Sequence, residues 1–532
     1  MNKLVRYLNQ HLLGEVTGDE SVRNHHSVDG SVLRLVPEIV AFPRETSDVR
    51  KIVNFSSQLA NKGHQLPITA RGAGTDTTGG SLGDGIVLGF TAHMNKVFEY
   101  DPKQKLVRLQ PGVTLGELRN SLRLQGVAIT ALSDVTNSVT VGGAIASRYD
   151  AGDWVDKLEV VLSSGATLQT GRVSKRELSK KKAEKGLEGK IYRELDELIE
   201  ENADLVAELA DRPTAGYPAL SNVKQRDGSF DLTPLFFGSQ GTLGIVSELI
   251  AKADYVNDTD SVVVGAFRSL DDARDAIDLL RKLDTSSVEL YDKSMVELAE
   301  AQGKEFELVN SVRKEDGFGA LVMVRTSSIS SRLRSKTIKK VTKAFTEKGA
   351  VTGFTDDMST SPLRAYEAIP SLALQAVEQG NSLLPVIDGA YIPTGHLDVF
   401  FGGIAELAKK YGMKFGVYGR PADEYWWIRA ELDASRVADR QTNLKLLQEF
   451  SVLVEKSKGS VAGLWSEGRT LAPAATQATD DRVLDLYRKI KNLFDPSGIL
   501  NPGVKQTGEM KDLVRKLRTS YSAPESDGLS RF

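Results

Sequence analysis

Glycine and hydroxyl side chains are concentrated in one segment, residues 67–81, which reads Pro-Ile-Thr-Ala-Arg-Gly-Ala-Gly-Thr-Asp-Thr-Thr-Gly-Gly-Ser. Glycine lets the backbone turn several N–H groups toward one point, because no Cβ stands in the way. Amides that converge in this way form an anion-binding nest, to which Thr and Ser hydroxyls add donors. The segment therefore predicts a loop that binds an anion such as a pyrophosphate, and an ordinary surface turn is the alternative.

This loop matches neither of two common nucleotide-binding motifs. A P-loop requires Lys directly after its last glycine, and no Lys follows the glycines here. The dinucleotide motif Gly-x-Gly-x-x-Gly requires glycine at position 77, where the chain has Thr77. A P-loop hydrolase and a Rossmann-type NAD enzyme are both disfavoured.

Length and composition limit the class of protein. A chain of 532 residues is too long for one compact core and predicts two or three domains. Hydrophobic residues make up 40% and charged residues 26%, which is typical of globular proteins, and the net charge of −3 argues against a dedicated nucleic-acid binder. The absence of cysteine excludes disulfides, thiolate metal sites and iron–sulfur ligation.

The two ends of the sequence bear on localisation. Leu4, Leu8 and Leu12 recur at helical spacing, which predicts a short amphipathic helix and not a signal peptide. No stretch reaches the length of a transmembrane helix. We expect a soluble cytoplasmic protein; peripheral membrane contact through residues 511–518 is the less favoured alternative to a solvated terminal helix.

Further motifs follow in a fixed order along the chain. They are Pro37–Pro43 followed by Asp48–Val53, Gln110–Leu118 (Gln-Pro-Gly-Val-Thr-Leu-Gly-Glu-Leu), Thr140–Ala146 (Thr-Val-Gly-Gly-Ala-Ile-Ala), Phe236–Val246 (containing Gly-Ser-Gln-Gly-Thr-Leu-Gly-Ile-Val) and Phe494–Gly503 (Phe-Asp-Pro-Ser-Gly-Ile-Leu-Asn-Pro-Gly). With the Arg-Gly-x-Gly-Thr loop, they resemble the FAD-linked oxidases of the vanillyl-alcohol oxidase/p-cresol methylhydroxylase superfamily. The D-lactate/glycolate dehydrogenase branch is the most similar.

The resemblance implies an α+β fold: a two-lobed FAD-binding domain of the p-cresol methylhydroxylase (PCMH) type, and an α+β C-terminal cap domain for the substrate. Apolar runs predict strands at 33–36, 39–42, 86–88, 262–267, 288–291, 320–324 and 414–418, and one helix around 191–209. We expect a helical lead-in (1–30), the FAD-binding domain (31–254, lobes 31–95 and 96–254, insertion 171–233), the cap domain (255–470), a return to the flavin domain (471–505) and a mobile tail (506–532).

The same resemblance assigns the residues that contact FAD. The predicted set is Arg71, Gly72, Ala73, Gly74, Thr75, Asp76, Gly79, Gly80 and Ser81 in the pyrophosphate loop, with Pro111, Gly112, Ser133, Asp134, Thr140, Gly142, Gly143, Ala146, Gly241, Gly244, Ile245 and Asn501 from other loops. Attachment is predicted to be non-covalent. Relatives with a histidyl link carry His in the region of Thr75, and a cysteinyl link needs a Cys that this chain lacks.

On the substrate side the chain departs from the family pattern. Hydroxy-acid members use the His of Gly-Asp-Gly-Asn-x-His and of Glu-His-Gly-x-Gly to hold a divalent metal or to act as base. Trp427 and Trp465 stand at those two positions here. Tryptophan offers neither a metal ligand nor a proton acceptor, so no metal site is predicted. The one histidine of the cap domain, His396, is interpreted as structural.

Other residues of these segments are the predicted catalytic set. Arginines could pair with a substrate carboxylate, and an acid or a phenol could act as base or orient the hydroxyl. The candidates are Arg469, Glu467, Arg420 and Tyr425, with Arg429 as a further cation and Tyr425, Trp426, Trp427 and Trp465 as an aromatic set. The alternative is that the tryptophans pack the cap sheet and the arginines form surface ion pairs.

The predicted function is therefore FAD-dependent oxidation of a hydroxyl-bearing small molecule, with D-2-hydroxy acids such as D-lactate or glycolate first. The substrate C–H would deliver hydride to flavin N5, and a quinone, a cytochrome or oxygen would reoxidise the flavin. Two alternatives stay open. One is a sugar or aldonolactone oxidoreductase, which needs no metal, and the other is a flavin-binding partner subunit without turnover.

Overall fold

The computed structural model describes residues 3–132, 137–148, 154–209, 215–255, 261–280, 283, 285–315, 317–326, 330–356, 361–370, 372, 383–433, 436–462, 466–505 and 510–519. The chain divides into two compact units. The first unit joins Met1–Tyr255 to Ser460–Arg518, and the second unit is Val256–Gly459. The second unit is thus inserted in the sequence of the first.

Two sheets form the frame of the first unit. Its strands are β1 (Glu15–Thr17), β2 (Ile39–Phe42), β3 (Ile68–Arg71), β4 (Ile86–Gly89), β5 (Val97–Asp101), β6 (Leu106–Leu109), β7 (Val127–Ala128), β8 (Val155–Val161), β9 (Thr167–Gln169), β10 (Ile245–Lys252) and β11 (Asp254–Tyr255). The smaller sheet has the order β1-β2-β4-β3, with β2 and β3 parallel to β4. The larger sheet is antiparallel, in the order β5-β6-β10-β8-β9, and β7 pairs with β11.

Apolar side chains place the smaller sheet inside the core of the first unit. Every residue of β4 is buried, and the helix Thr46–Ala60 packs Val49, Ile52 and Val53 against the sheet. Parallel strands covered in this way read as continuous apolar runs, which is why 39–42 and 86–88 were recognisable. Residues 33–36 form only isolated bridges, so the strand predicted there is wrong.

The helices of the first unit differ from the sequence prediction at one place, residues 191–209. They are Lys3–His11, Glu20–His25, Thr46–Ala60, Leu115–Arg123, Val141–Ser147, Lys175–Ala183, Leu187–Glu201, Ala203–Leu209, Thr233–Phe236, Ala472–Gln477, Asp481–Phe494 and Met510–Lys516. The single helix predicted around 191–209 is two helices. Asn202 separates them, because its side-chain amide donates to the carbonyl of Leu198 (2.8 Å) and competes with the helical hydrogen bonds.

The C-terminal segment is attached to the first unit between residues 510 and 518, where a mobile tail was predicted. The N–H of Arg34 donates to Lys516 O (2.7 Å), and the N–H of Arg518 donates to Val32 O (2.9 Å). The Arg518 guanidinium also donates to Asp29 O (3.1 Å). These long-range main-chain partners are 480 or more residues away in sequence, so no local pattern could indicate them.

A seven-stranded antiparallel sheet forms the centre of the second unit. Its strands are β12 (Ser261–Phe267), β13 (Ser287–Asp292), β14 (Ala320–Thr326), β15 (Val351–Thr355), β16 (Leu383–Tyr391), β17 (Phe415–Arg420) and β18 (Tyr425–Glu431). The order across the sheet is β15-β12-β14-β13-β17-β18-β16. The predicted strands at 262–267, 288–291, 320–324 and 414–418 correspond to β12, β13, β14 and β17.

Helices supply the remaining core of the second unit. They are Leu270–Leu280, Lys293–Glu300, Glu307–Glu315, Ser331–Glu347, Leu397–Tyr411 and Val437–Lys456. One core cluster joins Met295 and Val296 of the second helix to Val309 of the third and to Val262 and Val264 of β12. Among the described helices, none combines the length and apolar composition that crossing a membrane requires.

Candidate functional site

The glycine loop follows β3 at its carboxyl end, in the first unit. Gly74 and Gly79 have φ of +70° and +76°, in the left-handed region that favours glycine. A Cβ on Gly72 would lie 2.2 Å from Thr140 Oγ1, and one on Gly74 would lie 2.3 Å from Arg71 Nη2. Larger residues would therefore displace the side chains that line this loop.

The first half of the loop keeps hydrogen-bond donors free. Arg71 is 7% exposed; its Nη2 donates to Val28 O (2.7 Å), and its Nη1 has no hydrogen-bond partner in the described part of the chain. Across the same described ranges, the main-chain N–H groups of Ala73, Gly74 and Thr75 donate to no protein group. A buried guanidinium donor beside three free amides fits an anionic group such as the pyrophosphate of FAD.

The second half of the loop is closed by its own carboxylate. Asp76 accepts from the N–H of Gly80 (2.5 Å) and from the hydroxyl of Thr78 (3.0 Å). A loop whose donors all point to one external anion was expected. Instead, donors at Thr78 and Gly80 are used internally, because Asp76 supplies an anion within the loop. Gly80 lies close to Gln240, since a Cβ there would be 2.3 Å from Gln240 Nε2.

A second predicted loop is packed against the first. Thr140 caps the helix Val141–Ser147, with its hydroxyl accepting from Gly143 N–H (3.1 Å), and the same Thr140 touches Gly72. Gly142 N–H donates to Pro111 O (2.8 Å), and a Cβ on Gly142 would be 2.6 Å from Pro111 Cβ. The structure thus brings the loops at 72–74, 111–112 and 140–143 together.

The loop before β10 is tied to the same helix. Gly238 N–H donates to Ile145 O (2.8 Å), and Gln240 N–H donates to Ala146 O (2.9 Å). Gln240 and Gly241 both have positive φ, +50° and +70°. Ile245 begins β10 and is 2% exposed, in the core. Ser133 and Asp134, also predicted to contact FAD, lie outside the described residues.

Arg469 is the centre of a buried network that joins these loops. It is 6% exposed, and its guanidinium donates to Leu82 O (2.7 Å), Pro502 O (2.6 Å) and Asn501 Oδ1 (3.0 Å). Burial lowers the pKa of Arg469 to about 10. Asn501 in turn donates to Gly80 O (2.8 Å) and Gln240 O (2.7 Å). The described contacts of Arg469 hold loops in place, and a direct role in catalysis stays a prediction.

Glu467 lies in a buried ion pair two residues earlier. It is 1% exposed, accepts from Gly216 N–H (2.8 Å) and pairs with Lys505 Nζ (2.9 Å). Burial lowers the pKa of Lys505. Gly468 N–H donates to Gln240 Oε1 (3.0 Å), and Ser466 donates to Gly238 O (2.8 Å). Because residues 466–469 bond to first-unit loops, the first unit resumes at 460, earlier than the predicted 471.

Sequence reasoning missed three members of this network: Gln240, Lys505 and Asp29. The family form of the motif at 238–246 is Gly-Ser-Glu-Gly-Thr-Leu-Gly-Ile-Val, and Gln240 stands in place of its Glu. That substitution was the available signal. Lys505 lies just beyond the last motif, and Asp29 lies in the predicted lead-in, where no motif marks either residue.

The aromatic and arginine residues of the second unit lie on one face of its sheet. Cross-strand partners in register share a face, and Tyr291 pairs with Tyr418, which pairs with Trp427. Their rings are stacked, with centroids 5.0 Å and 4.4 Å apart. On the same face Arg420 is opposite Tyr425, and Arg429 is opposite Gly416. We call this surface the aromatic–arginine face.

Successive side chains of β18 point to opposite faces of the sheet, so the predicted aromatic residues do not all share one face. Trp426 points to the opposite face, where it is buried edge-on against Phe401 (centroids 5.1 Å apart), so the expectation of a single set is wrong for Trp426. Tyr425 is 1% exposed, with Gly389 packed against its hydroxyl. Trp465 lies outside the described residues.

Two further predictions concern charge and metal. Arg420 Nη2 pairs with Asp423 (2.8 Å), while Trp427 and Arg429 are half-buried. His396 is half-buried at the start of the helix Leu397–Tyr411. Within the described ranges, no group of three His, Cys, Asp or Glu residues could hold a metal ion.

Each of the two units contains residues matched by a known family of protein domains. The FAD binding domain model matches residues 37–171, and the model of the C-terminal domain of FAD linked oxidases matches residues 257–504. The crystal structure of p-cresol methylhydroxylase with substrate bound has a TM-score of 0.66 at 14% identity, covering 92% of this chain and 93% of that one. The predicted PCMH-type α+β fold is thereby confirmed.

Curated relatives match over most of this chain. A D-2-hydroxyglutarate dehydrogenase of Pantoea ananatis is 25% identical, over 93% of this chain and 50% of its own length. The glycolate oxidase subunit GlcD of Bacillus subtilis is 25% identical, over 88% of each chain. The chain therefore spans about half the length of the D-2-hydroxyglutarate dehydrogenase that it matches. With both domain models matched in order and the fold shared, the chain belongs to the FAD-linked oxidases.

Proposed function

We propose that this chain binds FAD in its first unit and oxidises a D-2-hydroxy acid. The observation that carries the substrate class is the aromatic–arginine face, where Arg420 and Arg429 share a sheet surface with Trp427 and Tyr418. A guanidinium recognises a carboxylate through two parallel hydrogen bonds, and aromatic rings exclude water from such a contact. The printed names of the relatives, which act on 2-hydroxy acids, support the same class.

Each predicted catalytic residue receives a role in this proposal. Arg429 and Arg420 bind the substrate carboxylate. Tyr425, the cross-strand partner of Arg420, fixes the position of that arginine. Glu467 and Arg469 act as positioning residues, because their described contacts are to Lys505 and to main-chain groups. When bound, FAD supplies the acceptor for the hydride of the substrate C–H bond.

Trp427 bears on how the substrate is held. The resemblance places a metal-ligating or basic histidine at this position, and indole can do neither task. In our proposal, orientation by the two arginines replaces orientation by a metal ion. The aromatic stack Tyr291–Tyr418–Trp427 fixes the Trp427 ring beside Arg429.

Anaerobic flavin reduction tests the proposal directly. Holoprotein is mixed with D-2-hydroxyglutarate, D-lactate, glycolate, their L-enantiomers where these exist, and aldonolactones, and flavin absorbance is followed by stopped flow. We expect bleaching by one or more D-2-hydroxy acids and none by L-enantiomers. Bleaching by lactones alone would establish the sugar-type alternative, and yellow protein that none of these compounds reduces would favour a non-catalytic flavin subunit.

A matched pair of arginine variants tests the carboxylate contact. Arg429→Lys keeps the charge but removes the two-pronged geometry, so we expect KM for the hydroxy acid to rise about tenfold or more with unchanged flavin content. Arg436→Lys is the control, since the Arg436 side chain is 72% exposed in the same unit and forms an ion pair with its neighbour Asp433. Equal KM values in both variants would contradict the assignment.

The electron acceptor and the compartment belong to the same proposal. We propose a cytoplasmic protein that passes electrons to a quinone, a cytochrome or oxygen. Among the described side chains of the terminal helix Met510–Lys516, Leu513 is buried within the first unit and Val514 is exposed, which favours a helix packed on the protein over one bound to a membrane. Cell fractionation and turnover with each acceptor class test these two statements.

A further inference from the structure

A buried carboxylate from the N-terminal segment reaches the pyrophosphate loop, although that segment precedes the matched FAD-binding residues 37–171. Asp29 is 8% exposed. Its Oδ2 accepts from the hydroxyl of Ser81 (2.8 Å), and its Oδ1 accepts from Ser31 N–H (2.9 Å). The preceding residue, Val28, accepts from the Arg71 guanidinium (2.7 Å). Asp29 is therefore part of the wall of the loop.

Asp29 and Asp76 are bound by adjacent residues of the glycine loop: Ser81 donates to Asp29 Oδ2 (2.8 Å), and Gly80 N–H donates to Asp76 Oδ2 (2.5 Å). The two carboxylates therefore form a pair around the same turn. Asp76 is held by Gly80 N–H and by the hydroxyl of Thr78. Burial, and after it the negative charge of Asp76, raise the pKa of Asp29 to about 6. Burial also raises the pKa of Asp76. Both carboxylates favour the charged form of Arg71, against the effect of its own burial.

Within the described part of the chain, the charged groups around this pair include Arg71, Arg469 and Arg518, and the Arg518 guanidinium donates to Asp29 O (3.1 Å). Arg469 interacts with both carboxylates and with Asp84. His25 and His26 face Arg71 from the helix Glu20–His25 and the residue after it. Burial, and then the charge of Arg71, lower the pKa of His26 to about 4, so this ring is neutral near pH 7. The same two causes lower the pKa of His25.

We propose that Asp29 and Asp76 act as a proton-binding pair in the flavin site, and that FAD binding is accompanied by uptake of one proton by this pair. Before the cofactor binds, this cluster already holds the two aspartates together with the guanidinium groups of Arg71, Arg469 and Arg518. The pyrophosphate adds two negative charges beside the free Arg71 Nη1 and the amides of 73–75. A nearby like charge disfavours an ionised carboxylate, so the shared proton becomes more tightly bound in the complex.

The direction in which FAD affinity changes with pH follows from the coupling between FAD binding and proton binding. The pair holds a proton more tightly with FAD bound than without it, so binding takes up a proton once the free pair has lost it. The dissociation constant of FAD should therefore rise with pH above about 6, where the free form of Asp29 titrates. The slope should approach tenfold per pH unit, the limit for one proton. The inference rests on FAD binding by this loop and not on the substrate.

The experiment measures FAD binding to apoprotein, by quenching of flavin fluorescence, from about pH 5.5 to about pH 8.5. Calorimetry in buffers of different ionisation enthalpy counts the protons taken up. We expect uptake approaching one proton in the wild type, and a dissociation constant independent of pH in Asp29→Asn. Asp292→Asn, a buried helix-capping aspartate of the second unit, is the control and should keep the wild-type slope.

The outcomes separate this inference from the proposed function. A wild-type protein that binds FAD with no proton uptake would overturn the inference alone. So would a slope that survives in both Asp29→Asn and Asp76→Asn, or one that disappears in His25→Gln. Protein that binds no FAD at any pH would overturn the flavin site itself. If Asp29→Asn fails to fold, the calorimetric proton count on wild type still decides.

Discussion

The candidate site of the first unit is built mainly from main-chain groups, whereas that of the second unit is built from side chains. In the first unit the contacts come from the main chain: free amides at 73–75, glycines that exclude a Cβ, and carbonyls bound by Arg469 and Asn501. In the second unit they come from side chains on a sheet face, such as Trp427 and Arg429. A site of the first kind depends on the path of the backbone, whereas one of the second kind can change its ligand by exchange of single residues.

Release of the cofactor is the largest effect expected from this contrast. If the first unit holds FAD through non-covalent contacts alone, acid precipitation should release all of the flavin into the supernatant. The motif resemblance gives the same expectation, since Thr75 stands in the region of the histidyl link. Absorbance of the pellet and supernatant measures the outcome, and a yellow pellet would contradict it.

Arg469→Ala should cause the next largest effect. Leu82 O and Pro502 O lose the donor described for them, which costs about 1–3 kcal/mol for each group, while Asn501 Oδ1 keeps the hydroxyl of Thr69 (3.0 Å). We expect the first unit to lose about 3–5 kcal/mol of unfolding free energy and to bind FAD weakly. Denaturant unfolding and flavin titration measure these changes. Arg482→Ala, an exposed arginine of the same unit, should leave both unchanged, and equal losses in the two variants would refute the role of Arg469.

Two glycines with the same backbone conformation separate the effect of backbone strain from the effect of contact with Arg71. Gly74 and Gly126 have φ of +70° and +68°, but a Cβ on Gly74 would be 2.3 Å from Arg71 Nη2, while nothing lies within 4 Å of one on Gly126. Alanine at either position carries a similar backbone cost of about 1 kcal/mol. Only Gly74→Ala should also displace Arg71 and weaken FAD binding about tenfold or more, as measured by flavin titration. A similar loss in Gly126→Ala would show that strain, and not contact, is responsible.

The smallest effect concerns the second unit and pH. Burial raises the pKa of Asp292 to about 7 from an ordinary value of 3.8. The folded state therefore holds an extra proton between these values, and the contribution of Asp292 to unfolding free energy falls as pH rises from about 4 to about 7. Asp292→Asn should flatten the loss of stability between about pH 4 and about pH 7 in denaturant unfolding. An unchanged slope would show that Asp292 titrates normally.

The main-chain loops of the first unit could be predicted from the sequence, whereas the long-range partners of buried side chains could not. Gly72, Gly74 and Gly142 were recognisable, because a backbone that approaches other groups so closely restricts residue type at each position. The partners of Arg469 were not, since its contact with Leu82 joins residues 387 positions apart and depends on the finished fold. The opposite orientations of Trp426 and Trp427 were available from strand periodicity, but the aromatic composition of the segment was given more weight.

The insertion of the second unit within the first has a consequence for synthesis on the ribosome. The loop at 71–81 emerges long before Arg469 and Asn501, whose contacts with Leu82 and Gly80 form only after residues 256–459 have been translated. At about 5–20 residues per second, this interval is on the order of ten seconds to a minute. During this interval the glycine loop of a nascent chain lacks these two partners, and its contacts are completed only after residue 501 has been made.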